Sequence, residues 1–419
     1  MKNLNFLTLI ALFLFAACGT EELRSPDPSE ENLTTTTTNP LTRGGTVSSG
    51  TYPANQMVVR FDPTLSEADK QLLRDQYGVT TIKTCTCADP SLELWIFELD
   101  RDGNLPSGLD LEETVIGAKD DSGLEDADFN PDFQHMGEKL NVAFGVESVT
   151  VALQNRVTSN ENITIAVLDT GVDYNYFGFD SPFLYNSQDN PDTCNQIGME
   201  DLFGWDFVNQ DNDPFDDYGH GTVISSIIYD ELTEHQIDFQ ILPIKAFDGN
   251  GKGNLFDILC GFKYAINNID VDVINMSFGW YHKNYELFAR YAQESQDKVL
   301  LMTSAGNAGQ SNDQTPHFPS SYDVSNLLSV AALSNDPTEI QLAYFSNFGQ
   351  NSVDFAALGE GIPFYIAPFE YIEVQGTSYS NALGTAFSGI HYVEGMTPQE
   401  HIGMMLQNII PHTNLWNIK

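Results

Sequence analysis

A chain of 419 residues, 41% of them hydrophobic, carries enough apolar material for a large core, and its length suits two or three folding units better than one. Against 18 basic residues stand 59 acidic ones, a formal charge of −41. That balance excludes nucleic acid as a partner, since phosphate binding needs clustered Lys and Arg, and it describes a solvated surface that attracts cations.

Taken in chain order, the first element is an address. Residues 1–17 hold Lys2, the apolar run LTLIALFLF and then Ala16 and Ala17, which together make a signal peptide too short to span a membrane as a mature helix. The ending FAAC resembles the bacterial lipobox, and by that resemblance Cys18 is the lipidated first residue of a cell-envelope lipoprotein, at the outer membrane or cell surface. Without lipidation the product is secreted. Residues 18–50 follow as a lipidated cysteine and tether: TTTTT, prolines, serines and glycines without apolar periodicity predict a disordered spacer.

Between Gln56 and His135 lies a small α+β unit. QMVVRF reads as a strand, SEADKQLLRDQYG as a helix capped by Ser66 and stopped by Gly78, and LELWIFEL as a second strand, closed by the extended tail DADFNPDFQH. Apart from Cys18 the cysteines are Cys85, Cys87, Cys194 and Cys260. Four cysteines allow three pairings, and sequence does not choose among them. TCTC lacks the second cysteine pair or histidine that a zinc set requires, so Cys85 and Cys87 are expected as a local disulfide or free thiols, and Cys260, inside LFDILCGFKYAI, as a buried thiol.

From Asn162 onward strands and helices alternate. ITIAVLD, DVINMSF and VLLMTSAG read as buried parallel strands, and GTVISSIIYDEL, NLFDILCGFKYAINN and YELFARYAQESQ as helices. The fold class is α/β, a three-layer sandwich with a mostly parallel central sheet, and chemistry in such sheets gathers at the carboxyl ends of the strands. Asp169 ends one strand, and a carboxylate there can hold an imidazole in one tautomer. His220 stands between two glycines at a helix start. Ser378, in VQGTSYSNALGTAFSG, opens another helix, where free N–H groups and the dipole favour developing negative charge; Thr377 or Ser378 is also a candidate cap. The order Asp, His, Ser is one in which the serine-hydrolase triad occurs.

VLDTGVD, GHGT and GTS, with SAGNAG and the stretch DILCGFKYAINNIDVDVINMSFGW between them, resemble the subtilases, the subtilisin-like serine peptidases. The resemblance runs from about residue 140 to near the C-terminus and takes in the leading unit as well. It implies a serine endopeptidase at 139–419 that cuts polypeptides and requires no cofactor for its chemistry. Ser378 is the implied nucleophile, His220 the base, Asp169 its orienting partner, and Asn307 the side-chain donor to the oxyanion. Ser277, Phe278 and Gly279 are implied as one edge pairing with the substrate backbone, and Gly251, Lys252 and Gly253 as the other. Ser304, Ala305 and Gly306 line the pocket for the residue before the cut, and their small size suggests that it admits large apolar side chains. Residues 51–138 become an inhibitory propeptide, cut between Phe133 and Phe144, so that the chain's own leader is a partner alongside substrate and membrane.

Four features depart from the family pattern. Ala382, preceded by Asn381, stands where proline is usual four positions after the serine, so a looser backbone is expected there. Trp280 replaces a common glycine, and is expected to narrow a subsite. Asp169 and His220 are separated by a long insertion. The family's calcium loop after the histidine helix is expected to be absent, because DELTEHQIDFQ is short. Asp206, Asp211, Asp213, Asp216 and Asp217 crowd GWDFVNQDNDPFDD, and Asp211, Asp213, Asp216 and Asp217 are candidate ligands for a structural calcium ion, with a solvated acidic loop as the other reading. The alternatives to an active enzyme are a catalytically weak or inactive peptide-binding protein on the same scaffold, and an adhesive lipoprotein.

Overall fold

The computed structural model describes residues 46–48, 52–85, 88–135, 139–140, 149–157, 163–187, 201–268, 270–336, 338–409 and 415–417. The expected signal segment, the lipidation residue Cys18, Cys87 and Cys194 lie outside them. So does most of the tether, but Thr46–Ser48 within it forms a strand, β1, where no regular structure was expected.

The leading unit follows its sequence pattern. β2 (Gln56–Phe61), β3 (Thr81–Cys85), β4 (Asp89–Ile96) and β5 (Leu124–Phe129) form an antiparallel sheet in the order β3, β4, β2, β5, carrying helices α1 (Glu67–Tyr77) and α2 (Leu111–Lys119). α1 starts where Ser66 Oγ accepts the Asp69 N–H and ends on Gly78 at φ 73°. Strand alternation sends Met57, Val59, Phe61 and Trp95 into a core shared with Val115 and Ala118, and turns Val58, Leu92 and Leu94 to the opposite face. That second face is not solvated: it joins the core of the larger unit.

The larger unit begins with β6 (Asp132–His135) and α3 (Val149–Gln154) and continues with β7 (Ile163–Asp169), β8 (Trp205–Asp206), α4 (His220–Glu234), β9 (Phe239–Lys245), β10 (Lys252–Asn254), α5 (Leu255–Asn267), β11 (Val273–Met276), β12 (Trp280–Tyr281) and α6 (Glu286–Glu294). It closes with β13 (Leu300–Ser304), β14 (His317–Phe318), β15 (Leu327–Leu333), β16 (Phe355–Leu358), the hairpin β17 (Ile362–Ala367) and β18 (Glu370–Val374), α7 (Thr377–Ile390), α8 (Pro398–Asn408) and β19 (Leu415–Asn417). Seven strands run parallel in the order β16, β15, β13, β11, β7, β9, β8, and β19 adds to β16 antiparallel. Both faces are covered, which is why these strands are apolar throughout. Ile163, Ile165 and Val167 of β7 face a core with Val223, Ile224 and Ile228 of α4 and Ala382 and Ala386 of α7; Ala166 and Leu168 face Leu259 and Phe262 of α5. The three-layer α/β expectation holds, and the leading sheet adds a further layer outside α5 and α6.

The junction between the units is rich in ion pairs. Arg60 meets Glu294 at 2.6 Å, Lys83 meets Asp257 at 2.6 Å, Lys119 meets Glu286 at 3.0 Å and Arg290 meets Asp126 at 3.2 Å. Asp128 of β5 accepts the Leu287 N–H, in the first turn of α6, at 3.0 Å. The end of β3 rests on α5, so Cys85 is bonded to Cys260 across 175 positions. This corrects the expected local disulfide or free thiols at Cys85 and the expected free buried thiol at Cys260, because the pairing depends on how two units dock and not on spacing along the chain.

Two outcomes are expected. Limited cleavage within residues 136–148 yields fragments that run together on a denaturing gel until a thiol reductant is added; separation without reductant contradicts the Cys85–Cys260 bond. Burial pushes the Asp128 carboxyl up to about 7, against the pull of the Leu287 N–H and Lys119. A carboxyl raised in the folded chain holds its proton there while the unfolded chain has lost it, so its stabilisation is greatest in acid and fades as pH rises from about 4 through about 7. The melting-temperature difference between wild type and Asp128→Asn should therefore change across that range, and a constant difference would contradict the shift.

Candidate active site

Asp169, His220 and Ser378 stand at the C-terminal end of β7 and at the first turns of α4 and α7, three elements that meet at the carboxyl edge of the sheet. α4 can begin against the turn after β7 only because Gly221 lies on Gly171: a methyl group at Gly221 would run into the Gly171 carbonyl oxygen. His220 Nδ1 and Asp169 Oδ1 are 2.8 Å apart, both residues buried. Burial alone would raise the Asp169 carboxyl, but His220, His135 and the Thr170 N–H outweigh it and hold the group below the usual carboxylate range. The carboxylate thus stays ionised and keeps the Nδ1–H tautomer of His220, which turns Nε2 toward the cleft as the proton acceptor.

Ser378 is fully buried, and its Oγ donates to the Ser277 carbonyl at 3.0 Å, while Ser277 Oγ donates to the Ser378 carbonyl at 3.1 Å. Among the described residues His220 Nε2 makes no hydrogen bond, and the Ser378 hydroxyl is turned to Ser277 instead. Neither Thr377 nor Ser378 caps α7: the cap position is Gly376 at φ 148°, with no side-chain capping bond. The Thr377 hydroxyl is turned to Asn307 instead. Asn307 Oδ1 accepts from the Thr377 N–H and from Thr377 Oγ1, both at 2.9 Å. These two donors hold the Asn307 carbonyl oxygen and so fix the orientation of its amide beside the first turn of α7.

The two segments read as substrate edges lie at β10 and at the end of β11. β10 carries Lys252 and Gly253, with Gly251 before it at φ 73°, and Ser277, Phe278 and Gly279 leave the end of β11. The β10 edge is occupied by β6: Phe133 pairs with Gly253 and Gln134 with Lys252, and the His135 N–H donates to Gly251 O at 2.8 Å. On its other side β6 pairs with β1. Phe133 packs on Trp280, ring centroids 5.0 Å apart, and the His135 ring lies 4.4 Å from that of His220 with Nε2 3.8 Å from Asp169 Oδ1. His135, Asp169 and His220 are close enough to suggest a metal triad, yet the 2.8 Å hydrogen bond between Nδ1 and Oδ1 takes the space an ion would need.

Ser304 ends β13, Ala305 and Gly306 follow it, and the space between Gly306 and Gly279 is filled by a ring. The His317 ring stands between the two glycines, where a methyl group on either would strike it, and it leans on Tyr281 at 4.8 Å. Its Nδ1 meets Ser320 Oγ at 2.8 Å, and burial pushes its pKa down to about 3, so the ring is neutral. No local pattern in the sequence marks His317; it enters through β14 pairing with β12.

The acidic run before His220 is not gathered around a common point. Asp216 is wholly buried and accepts from the N–H groups of Tyr218, Gly219 and Thr222 and from Thr222 Oγ1, fastening the turn that delivers His220. Asp217 is paired with Lys245 at 2.8 Å, Asp213 accepts from the Tyr174 hydroxyl, and Asp211 accepts from the Asp213 N–H. With these oxygens turned to separate donors, the expectation of one calcium site built from Asp211, Asp213, Asp216 and Asp217 does not hold.

A buried Asp–His pair, a serine at a helix start and an amide held beside it, set at the open end of a parallel sheet and flanked by peptide-pairing edges, define a serine peptidase. The family model for subtilases matches residues 160–413, and the chain belongs to that family of serine endopeptidases. An intracellular serine protease of Paenibacillus polymyxa is 28% identical over 288 residues, 64% of this chain and 81% of that protein. A thermophilic serine proteinase of Bacillus sp. strain AK1 is 32% identical over 225 residues, 52% of this chain and 49% of its own length, so the chain spans about half of that relative. The crystal structure of a cold adapted subtilisin-like serine proteinase aligns with a TM-score of 0.47 at 22% identity, covering 62% of this chain and 87% of that one.

Asn307→Ala should lower kcat by about 10²- to 10³-fold, a magnitude taken over from subtilisin itself, while KM changes little. Steady-state kinetics on a peptide substrate checks this, and an unchanged kcat removes Asn307 from the oxyanion site.

Proposed function

We propose that the chain is a lipid-anchored zymogen of a serine endopeptidase, with residues 51–138 as its inhibitory propeptide and an acyl-enzyme as its intermediate. In the reaction Ser378 Oγ attacks the peptide carbonyl as His220 Nε2 takes its proton. Asp169 stabilises the imidazolium, and the Asn307 amide and the Ser378 backbone N–H receive the oxyanion. His220 then protonates the departing amine, the acyl group stays on Ser378, and water activated by His220 releases it.

The observation that carries the zymogen reading is the pairing of β6 with β10. A substrate held by main-chain hydrogen bonds would need the β10 edge, and the chain's own strand already lies along it, ending with His135 against the catalytic imidazole. The segment expected to be cut, between Phe133 and Phe144, starts within β6 and runs on from it. The anchor rests on the signal grammar that ends at Cys18, and places the enzyme at the cell envelope. The reading of a weak or inactive peptide-binding protein draws on one observation, the Ser378 hydroxyl turned to Ser277 instead of His220.

The test uses residues 19–419 and its Ser378→Ala variant, followed by mass and by cleavage of casein. Under reducing conditions the wild type should resolve into two fragments cut at a site between Phe133 and Phe144, and it should cut casein once the leading unit is degraded or its bond to Cys260 is reduced; Ser378→Ala should do neither. A wild type that neither processes nor cuts favours the binding-protein reading, and a variant that processes equally well removes Ser378 as nucleophile. Full-length chain expressed in bacteria should partition with membranes and Cys18→Ser should not; equal partitioning contradicts the anchor.

A further inference from the structure

One turn beyond Ser378, where the family resemblance breaks off, Asn381 is wholly buried. Its Nδ2 donates to Asn275 Oδ1 at 2.9 Å and to the Met302 carbonyl at 3.1 Å, with Ser277 Oγ at 3.3 Å and the Met276 carbonyl at 3.4 Å also in reach. Four acceptors around one nitrogen fix the orientation of the amide, since the flipped form would set oxygen against oxygen. The network continues outward. Thr385 Oγ1, a further turn along α7, donates to the same Asn275 Oδ1 at 2.9 Å, and Asn275 Nδ2 donates to Ser277 Oγ at 3.0 Å. Ser277 Oγ in turn reaches the Ser378 carbonyl.

Three pieces of the catalytic machinery therefore hang on one side chain. α7 carries the nucleophile, the end of β11 leads into the substrate edge at Ser277, and β13 leads through Ser304 to Asn307. Asn381 ties α7 to Asn275 in β11 and to Met302 in β13. α7 runs unbroken through Ala382, where the family usually has proline, and is bolted to β11 by hydrogen bonds. The bolt carries a cost. Asn381 Oδ1 is buried and makes no hydrogen bond among the described residues, a defect that an apolar side chain of the same size would avoid.

We infer that Asn381 is a positioning residue for catalysis: through Asn275 and Met302 it sets the height of Ser378 relative to the substrate edge and to Asn307. The inference deepens the peptidase reading and rests on it. A small misplacement of a reacting group transmitted from outside the site can cost up to about a hundredfold in rate. Asn381→Ala should therefore lower kcat by roughly ten- to a hundredfold while KM stays near that of wild type.

The experiment compares wild type, Asn381→Ala, Asn381→Ser, Asn275→Ala and the Asn381→Ala/Asn275→Ala double variant. Each is produced as the full zymogen, processed, and counted by labelling with a fluorophosphonate, so that kcat is expressed per labelled serine and loss of folded protein drops out. The two alanine variants and their combination should share one loss, since they cut the same tie, and Asn381→Ser, which keeps a donor, should recover part of it. Unchanged kcat per labelled site in Asn381→Ala overturns the inference, as do additive losses in the double variant. If Asn381→Ala yields no folded protein, Asn381→Ser and Asn275→Ala against wild type decide on the same criteria. An inactive wild type overturns the peptidase reading itself and the inference with it, a result separate from any of these.

Discussion

The contact on which the site depends is the approach of α4 to the turn after β7. Gly171 and Gly221 lie backbone to backbone, and only side chains of no size allow the first residue of the helix to reach the carboxylate that ends the strand. Everything that follows is held to that contact by buried hydrogen bonds: Asp216 fastens the turn that precedes the helix, and the Gly221 N–H donates to Thr170 Oγ1 at 2.8 Å. An Asp–His pair needs no special residues beyond these two. What it needs is a frame stiff enough to keep 2.8 Å constant through proton transfer, and a close-packed helix–strand junction supplies it.

The leading unit is bound through a different kind of surface. Its sheet offers one face to its own helices and the other to α5 and α6, and the rim of that second face is lined with carboxylates and a few strategically placed cations. In a chain with 59 acidic residues and 18 basic ones, the basic residues are scarce. Arg60, Lys83, Lys119 and Arg290 are nevertheless all spent at this junction. Docking here is a matter of charge complementarity around an apolar centre, and it fixes where β6 emerges.

The parts of the site legible in the sequence were those whose reason is local. Asp169 ends an apolar strand, His220 sits between glycines at a helix start, and Ser378 and Asn307 each lie in a short run of small residues; each pattern states a backbone requirement within a few positions. The unread parts depend on distant segments. Cys85 meets Cys260 only after two units dock. Asp216 looks like a member of an acidic run until four donors are seen to surround one carboxylate. His317 reaches the space between Gly279 and Gly306 because β14 pairs with β12, and Thr46–Ser48 is a strand only because β6 offers it an edge. The same holds for the parallel sheet: its strands could be read from composition, but their order could not, since neighbours in the sheet are far apart in the chain.

If the chain is cut after the leading unit, as proposed, the bond between Cys85 and Cys260 changes the kinetics of what that unit does next. A severed inhibitor held by non-covalent contacts departs by dilution, and its return is a bimolecular event. One that is still bonded to α5 returns from an effective concentration on the order of millimolar, independent of how dilute the protein is. Release then ceases to be a question of affinity. On the proposed zymogen reading it becomes a question of whether the tether survives, so that proteolysis of the leading unit or reduction of a single bond, and not dissociation, would set the time at which the cleft opens.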